Sequence, residues 1–201
     1  VFAIAVIRGM FMPTRGRRIG TYPAPRKALL VLDVQESGGA PVRSETFHRL
    51  IATINALIEH FTRAGMEVAY VRQVFDNDLI IRLHGGRILS GRLEPRLDRR
   101  LLVVNQNDFR KNRTDAFANK RLDEFLIDRQ VSELYLVGMD AAFCVYYTAR
   151  GALNRGYKVT VVKDAVRSRR PMADILAKYG RRGIAVITSG ELLESRQRTA
   201  T

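Results

Sequence analysis

The chain's single cysteine, Cys144, stands in the stretch GMDAAFCVYYTARGALNRGY (138–157), after the apolar run LYLVG and at the start of a segment with helical spacing. A thiol is a strong nucleophile only as a thiolate, and its pKa, about 8.5 in isolation, falls when the unpaired N–H groups of a helix start or a cation lie close. A lone cysteine is otherwise most often a small buried hydrophobe, so position alone does not decide its role. Two more charged side chains stand at places where they could do chemistry. Asp33 closes the apolar run ALLVLD, and Lys111 opens KNRTDAF, six residues ahead of Phe117. Taken singly, Asp33 reads as a strand-end cap and Lys111 as a surface cation in a basic stretch.

The elements that must position these groups follow from periodicity. Residues 27–33, KALLVLD, form the continuous apolar run that a strand buried on both faces requires. Phe47, Leu50, Ile51, Ile54, Leu57 and Phe61 then recur at helical spacing and stop near Gly65. EVAYVRQV (67–74) is a second strand, LLVVN (101–105) a third, and a helix is expected from about Thr114 to Arg129. LYLVG (134–138) leads into a helix with Val145, Thr148, Ala149 and Ala152 on one face. KVTVVKD (158–164) is followed by a short helix opened by Pro171 and closed at Gly180, then by the strand IAVITS (184–189). Thr188 and Glu191 have the spacing of a capping box for a final helix. Strands alternating with helices predict an α/β fold, three layers deep, with a mostly parallel central sheet. In such sheets ligands collect at the carboxyl ends of the strands. Asp33, Asp76, Asp140, Cys144 and Asp164 all fall at that rim.

Composition sets limits on the rest. The 201 residues are 46% hydrophobic with six prolines, enough for one sizeable core, and no linker-like tract or internal repeat divides them. Residues 1–25 read as an N-terminal arm or extra strand, packing on another subunit, and residues 26–201 as one domain. One cysteine excludes an intrachain disulfide framework, and the opening VFAIAVIRGMFM is too short to span a membrane and has no leader-like cleavage site. A cytoplasmic location is expected. The net charge is +14, from 34 basic and 20 acidic residues. The arginines occur in small groups such as RGRR, RLDRR and RSRR, without interleaved aromatics, which argues against a nucleic-acid surface and for a solvated basic surface or the steering of acidic substrates.

Three segments taken together, ALLVLDVQ, KNRTDAF and VGMDAAFCVYYTARGALNRGYKVTVVKDA, resemble the isochorismatase-like cysteine hydrolases, the superfamily of nicotinamidases, N-carbamoylsarcosine amidohydrolase and isochorismatase. The resemblance covers roughly residues 26–195 and carries the family's three-layer fold. It implies that Cys144 attacks an amide-type carbonyl to give an acyl-enzyme, that Asp33 takes the thiol proton and passes it to the leaving amine, and that Lys111 holds both by charge and keeps Cys144 ionised. It further implies an oxyanion hole from the backbone N–H groups of Asp140 and Cys144, with a cis peptide between Met139 and Asp140. Asp140 departs from the small or apolar side chain of many relatives. Turned into the pocket, its carboxylate would favour a cationic substrate; turned away, it would cap the following helix.

Nicotinamidases in this superfamily carry an Asp-x-His-x5-His metal site. FDNDLIIRLHGG offers Asp76, Asp78 and His84 at that spacing, with an aspartate replacing the first histidine, so a polar loop over the pocket is the simpler reading and no metal or other cofactor is expected. Gln35, Asp76, His84 and Phe117 are candidates for the substrate pocket, residues 75–95 for part of its lid, and His48 and His60 for surface positions on the first helix. HGG lacks the Gly-x-Ser-x-Gly that a serine esterase needs. The expected activity is hydrolysis of a C–N bond in a small amide, ureido or carbamoyl compound. The alternatives are isochorismatase-type cleavage of a vinyl ether and a non-catalytic basic scaffold protein. A small-molecule substrate and a homo-oligomer, with no membrane partner, complete the expectation.

Overall fold

The computed structural model describes residues 11–36, 45–74 and 96–194. Six parallel strands form one sheet: β1 (Arg26–Leu32), β2 (Glu67–Gln73), β3 (Asp108–Lys111), β4 (Val131–Met139), β5 (Lys158–Arg167) and β6 (Ala185–Ile187), in the order β3-β2-β1-β4-β5-β6. The helices are α1 (Glu45–Arg63), α2 (Lys120–Asp128), α3 (Tyr146–Asn154), α4 (Met172–Gly180) and α5 (Ser189–Glu194), with a 3-10 turn at Ala116–Ala118 and a π-helical turn at Ala141–Val145. The sheet order reverses between β1 and β4, which makes the gap at their carboxyl ends the natural place for a site.

Strand β1 shows why the run of apolar residues is continuous. Ala28, Leu30 and Leu32 pack on one face, with residues of α2, α3 and α4; Leu29 and Val31 pack on the other, with the apolar stripe of α1 and Leu192 of α5. Both faces are covered, and Ala28 to Leu32 are fully buried. This is the three-layer α/β/α arrangement expected from the sequence. Thr188 and Glu191 do form a reciprocal cap, with Glu191 Oε2 accepting from Thr188 N at 2.6 Å and Thr188 Oγ1 accepting from Glu191 N at 3.1 Å.

Two expectations are corrected. LLVVN (101–105) is not a strand: Tyr70 Oη donates to Leu102 O and accepts from Val104 N, and the Asn55 side chain bonds Arg100 O and Leu102 N. Side chains thus satisfy a backbone that a ladder would otherwise need to pair. The third strand comes later, at Asp108–Lys111, a polar edge strand whose register with β2 places Lys111 opposite Gln73. The helix expected from Thr114 begins at Lys120, because Asp115 accepts from Phe117 N and Asn119 from Arg121 N, each capping a separate turn.

Residues 11–25 run along the chain's own α3. Thr14 O accepts from Asn154 Nδ2 at 2.8 Å, and Ile19 N donates to Arg155 O at 2.8 Å. Residues 1–10 of the expected arm lie outside the described residues. Among the described residues no helix is long and apolar enough to cross a membrane.

Candidate active site

Asp33 and Cys144 flank the reversal of strand order. Asp33 follows β1 with φ 53°, a left-handed backbone that few non-glycine residues adopt and that aspartate tolerates better than most. Gly138 lets the end of β4 come close: its φ is +110°, and a Cβ there would lie 2.0 Å from Leu32 O. Only glycine allows β1 and β4 to approach so nearly just before the site. The Met139–Asp140 peptide is cis, and the π-helical turn carrying Cys144 follows at once.

Lys111 comes from β3, with β2 lying between β3 and β1. Neighbouring strands lie about 4.8 Å apart, so only a long side chain can cross β2 to reach the end of β1. Its Nζ donates to Asp33 Oδ2 at 2.8 Å, to Gln73 Oε1 at 2.6 Å and to Arg113 O at 3.2 Å, and lies 3.3 Å from Cys144 Sγ. The structure therefore brings Asp33, Lys111 and Cys144 into one cluster. The Lys111 side chain is fully buried and that of Asp33 nearly so. Asp33 Oδ1, by contrast, is buried with no hydrogen-bond partner among the described residues.

Charge decides which protonation states this cluster holds. Burial alone would lower the Lys111 pKa, but the adjacent Asp33 charge, joined at alkaline pH by the ionised Cys144 sulfur, outweighs it, and the net direction is up. Lys111 is an ammonium. Cys144 goes the other way from the expected standing thiolate: burial of the sulfur and the adjacent Asp33 charge push its thiol up to about 12, against the smaller opposing pull of Lys111. Beside the Lys111 ammonium the sulfur is therefore favoured as a thiol. Losing the thiol proton to solvent would add a negative charge to the cluster, whereas passing it to Asp33 would leave the cluster's total charge unchanged.

The remaining sequence candidates fall into place unequally. Asp140 turns away from the cluster: its Oδ1 accepts from Ala142 N at 2.7 Å and from Ser168 Oγ at 2.7 Å, so it caps the turn that carries Cys144. Gln35 does not offer a free amide to a ligand. Its Oε1 accepts from Gln73 N at 2.9 Å and its Nε2 donates to Gln73 O at 3.2 Å, clasping the end of β2. Phe117 is core, 3% exposed, beneath the Arg155 guanidinium and beside Tyr157, because the 3-10 turn directs it under α3. Asp164 accepts from Ser189 N and Oγ and caps α5. His48 lies 3.1 Å from Arg100 on the outer side of α1, and His60 is edge-on to Phe61. Asp76, Asp78, His84 and the lid expected at 75–95 lie outside the described residues. Sequence reading missed Gln73 and Ser168; QVF and RSRR give no signal of their own, and the register that sets Gln73 beside Lys111 is a property of the sheet.

The geometry has counterparts. The isochorismatase domain profile matches residues 27–189. The chain is 37% identical over 83 residues to the isochorismatase family protein PncA of Bacillus subtilis, a stretch covering 41% of this chain and 45% of that protein. It is 32% identical over 145 residues to streptothricin hydrolase of Streptomyces noursei, covering 70% of this chain and 54% of that one. These alignments thus span about half the length of each relative. The structure of N-carbamoylsarcosine amidase from Thermoplasma acidophilum superposes with a TM-score of 0.70 at 27% identity, covering 82% of this chain and 96% of that one.

Proposed function

The chain belongs to the isochorismatase family of hydrolases, and from that premise we propose that it cleaves a C–N bond of a small amide, ureido or carbamoyl compound through an acyl-enzyme on Cys144. What carries the reading is one observation: Lys111 Nζ lies within 3.3 Å of Cys144 Sγ and 2.8 Å of Asp33 Oδ2 at the point where the strand order reverses. The amidase named among the related structures and the hydrolases of the family support the substrate class.

In this mechanism the substrate enters with the thiol still protonated. As Cys144 Sγ attacks the carbonyl carbon, its proton passes to Asp33 Oδ1, the carboxylate oxygen that has no other partner among the described residues. Lys111 stabilises the thiolate as it develops and keeps Oδ2 occupied, which leaves Oδ1 as the proton's destination. The N–H groups of Asp140 and Cys144 take the charge of the tetrahedral oxyanion. The C–N bond then breaks, and the departing nitrogen leaves with the proton from Asp33. Water attacks the thioester, gives a proton to Asp33 and releases the acid. The proton returns to sulfur. Asp140 contributes its backbone only, since its carboxylate is held by Ala142 and Ser168, so Asp33 supplies the negative charge beside the nucleophile.

A panel of small amides, ureido acids and carbamoyl amino acids, read as ammonia release, tests the proposal. Turnover by the wild type that disappears in Cys144→Ala is expected; equal turnover in both would overturn it.

A further inference from the structure

We propose, resting on the hydrolase reading above, that Ser168 is a positioning residue for the oxyanion corner: through the Asp140 carboxylate it fixes the residue whose backbone N–H is assigned to the tetrahedral oxyanion. The bonds run in one direction. Arg170 N donates to Ser168 Oγ at 3.2 Å, and Ser168 Oγ lies 2.7 Å from Asp140 Oδ1. A hydroxyl has one hydrogen, and with its lone pair facing Arg170 N–H that hydrogen goes to the carboxylate.

The second bond to Oδ1, from Ala142 N, is local; any short polar cap would make it. The Ser168 bond reaches 28 residues along the chain and ties the end of β4 to the end of β5. That tie falls just past the end of the ladder between these strands, whose register shifts between Leu136 and Gly138, resumes with Gly138 opposite Val166 and ends with Met139 opposite Arg167. Side chains take over there from backbone bonds. Tyr179 Oη, from α4, holds the next residue by donating to Ala141 O at 2.5 Å, and Asp140 O accepts from Phe143 N and Val145 N at 3.1 Å each. The two carbonyl oxygens that follow the Asp140 N–H are thus pinned, and among the described residues Ser168 is an anchor that lies outside the helix carrying Cys144 and the helix packed on it. Arg170, the same loop's next anchor, stacks its guanidinium 4.6 Å over Phe143, the neighbour of Cys144.

Two reactions of the same sulfur separate positioning from general structural support. Acylation by p-nitrophenyl acetate passes through an oxyanion, whereas alkylation by iodoacetamide displaces iodide at a methylene and forms none. Ser168→Ala should slow acylation of Cys144 about tenfold or more, because a displacement well under 1 Å suffices, and leave alkylation within about twofold. Ser168→Thr, which keeps the hydroxyl, should restore acylation. The inference is overturned if both rates and the thermal midpoint fall together, or if neither rate changes. Wild-type Cys144 that is acylated no faster than free cysteine would instead bring down the hydrolase reading, and this inference with it.

Discussion

Lys111 and Arg155 are both buried cations, 2% and 3% exposed, each held by a carboxylate and by at least one backbone carbonyl. Around Arg155, Nε donates to Asp123 at 2.9 Å, Nη1 reaches Gly151 O and Thr14 Oγ1 at 3.0 Å each, and the planar guanidinium lies 4.5 Å over the Phe117 ring. Asp115 completes the network by accepting from Thr14 N and Phe117 N. Gly151 makes room for it, since a Cβ there would lie 2.3 Å from Asp115 Oδ2. Among the described residues both networks even leave one carboxylate oxygen without a partner, Oδ1 of Asp33 and Oδ1 of Asp123. An orphan oxygen beside a buried cation therefore does not identify a catalytic site. The difference is the thiol: three ammonium hydrogens face four acceptors around Lys111, one of them sulfur, so the set can redistribute a proton, while the Arg155 set holds a strap of chain against α3.

Substitutions should pull the two networks apart. Cys144→Ala is expected to remove essentially all amidase turnover, on the order of 10⁴-fold or more, with the fold intact by circular dichroism. Lys111→Met should reduce kcat/KM by roughly 10²-fold to 10⁴-fold, since it removes the charge that stabilises the developing thiolate, as a steady-state comparison would read. Arg155→Met should spare turnover: it strands the Asp123 carboxylate and costs about 3 kcal/mol or more of stability in urea unfolding, while the fraction that remains folded keeps its kcat/KM. Equal effects of Lys111→Met and Arg155→Met on turnover per folded molecule would erase the distinction.

Two smaller effects sharpen it. Thr14→Ala should cost about 1 kcal/mol, from the lost hydroxyl contacts to Asp115 and Arg155, with turnover unchanged. The pH dependence belongs to the other network. Because the folded Cys144 thiol is raised from 9.0 to about 12, the folded state holds this proton more tightly than the unfolded chain does. The resulting stability is fully present below the ordinary thiol pKa and is lost as pH rises toward the folded value. Thermal midpoints measured across that alkaline window should fall more steeply for wild type than for Cys144→Ala.

The fold was readable because its strands are buried on both faces: KALLVLD and LYLVG cannot be satisfied by any exposed position, and the stripe from Phe47 to Phe61 has one helical face. LLVVN misleads for the same reason. It is apolar enough for a strand, but Tyr70 and Asn55 satisfy its backbone from a distance that sequence does not express. At the site, Asp33, Lys111 and Cys144 were legible as a set through family resemblance and not through spacing, for they lie 78 and 33 residues apart. Gln35 and Phe117 are drawn into β2 and the core by neighbours that the sequence does not place beside them. The protonation of Cys144 was not legible at all, because it depends on how completely the sheet and helices exclude water from the sulfur.

Cys144, supported by Asp33 and Lys111, is expected to form a covalent acyl intermediate. Acid-quenching the protein during turnover of an amide identified in the panel, and weighing the intact chain, tests it most directly. An adduct of the acyl mass that maps to Cys144 and is absent from Cys144→Ala is the predicted result; steady turnover with no adduct on the chain, persisting in Cys144→Ala, would contradict it.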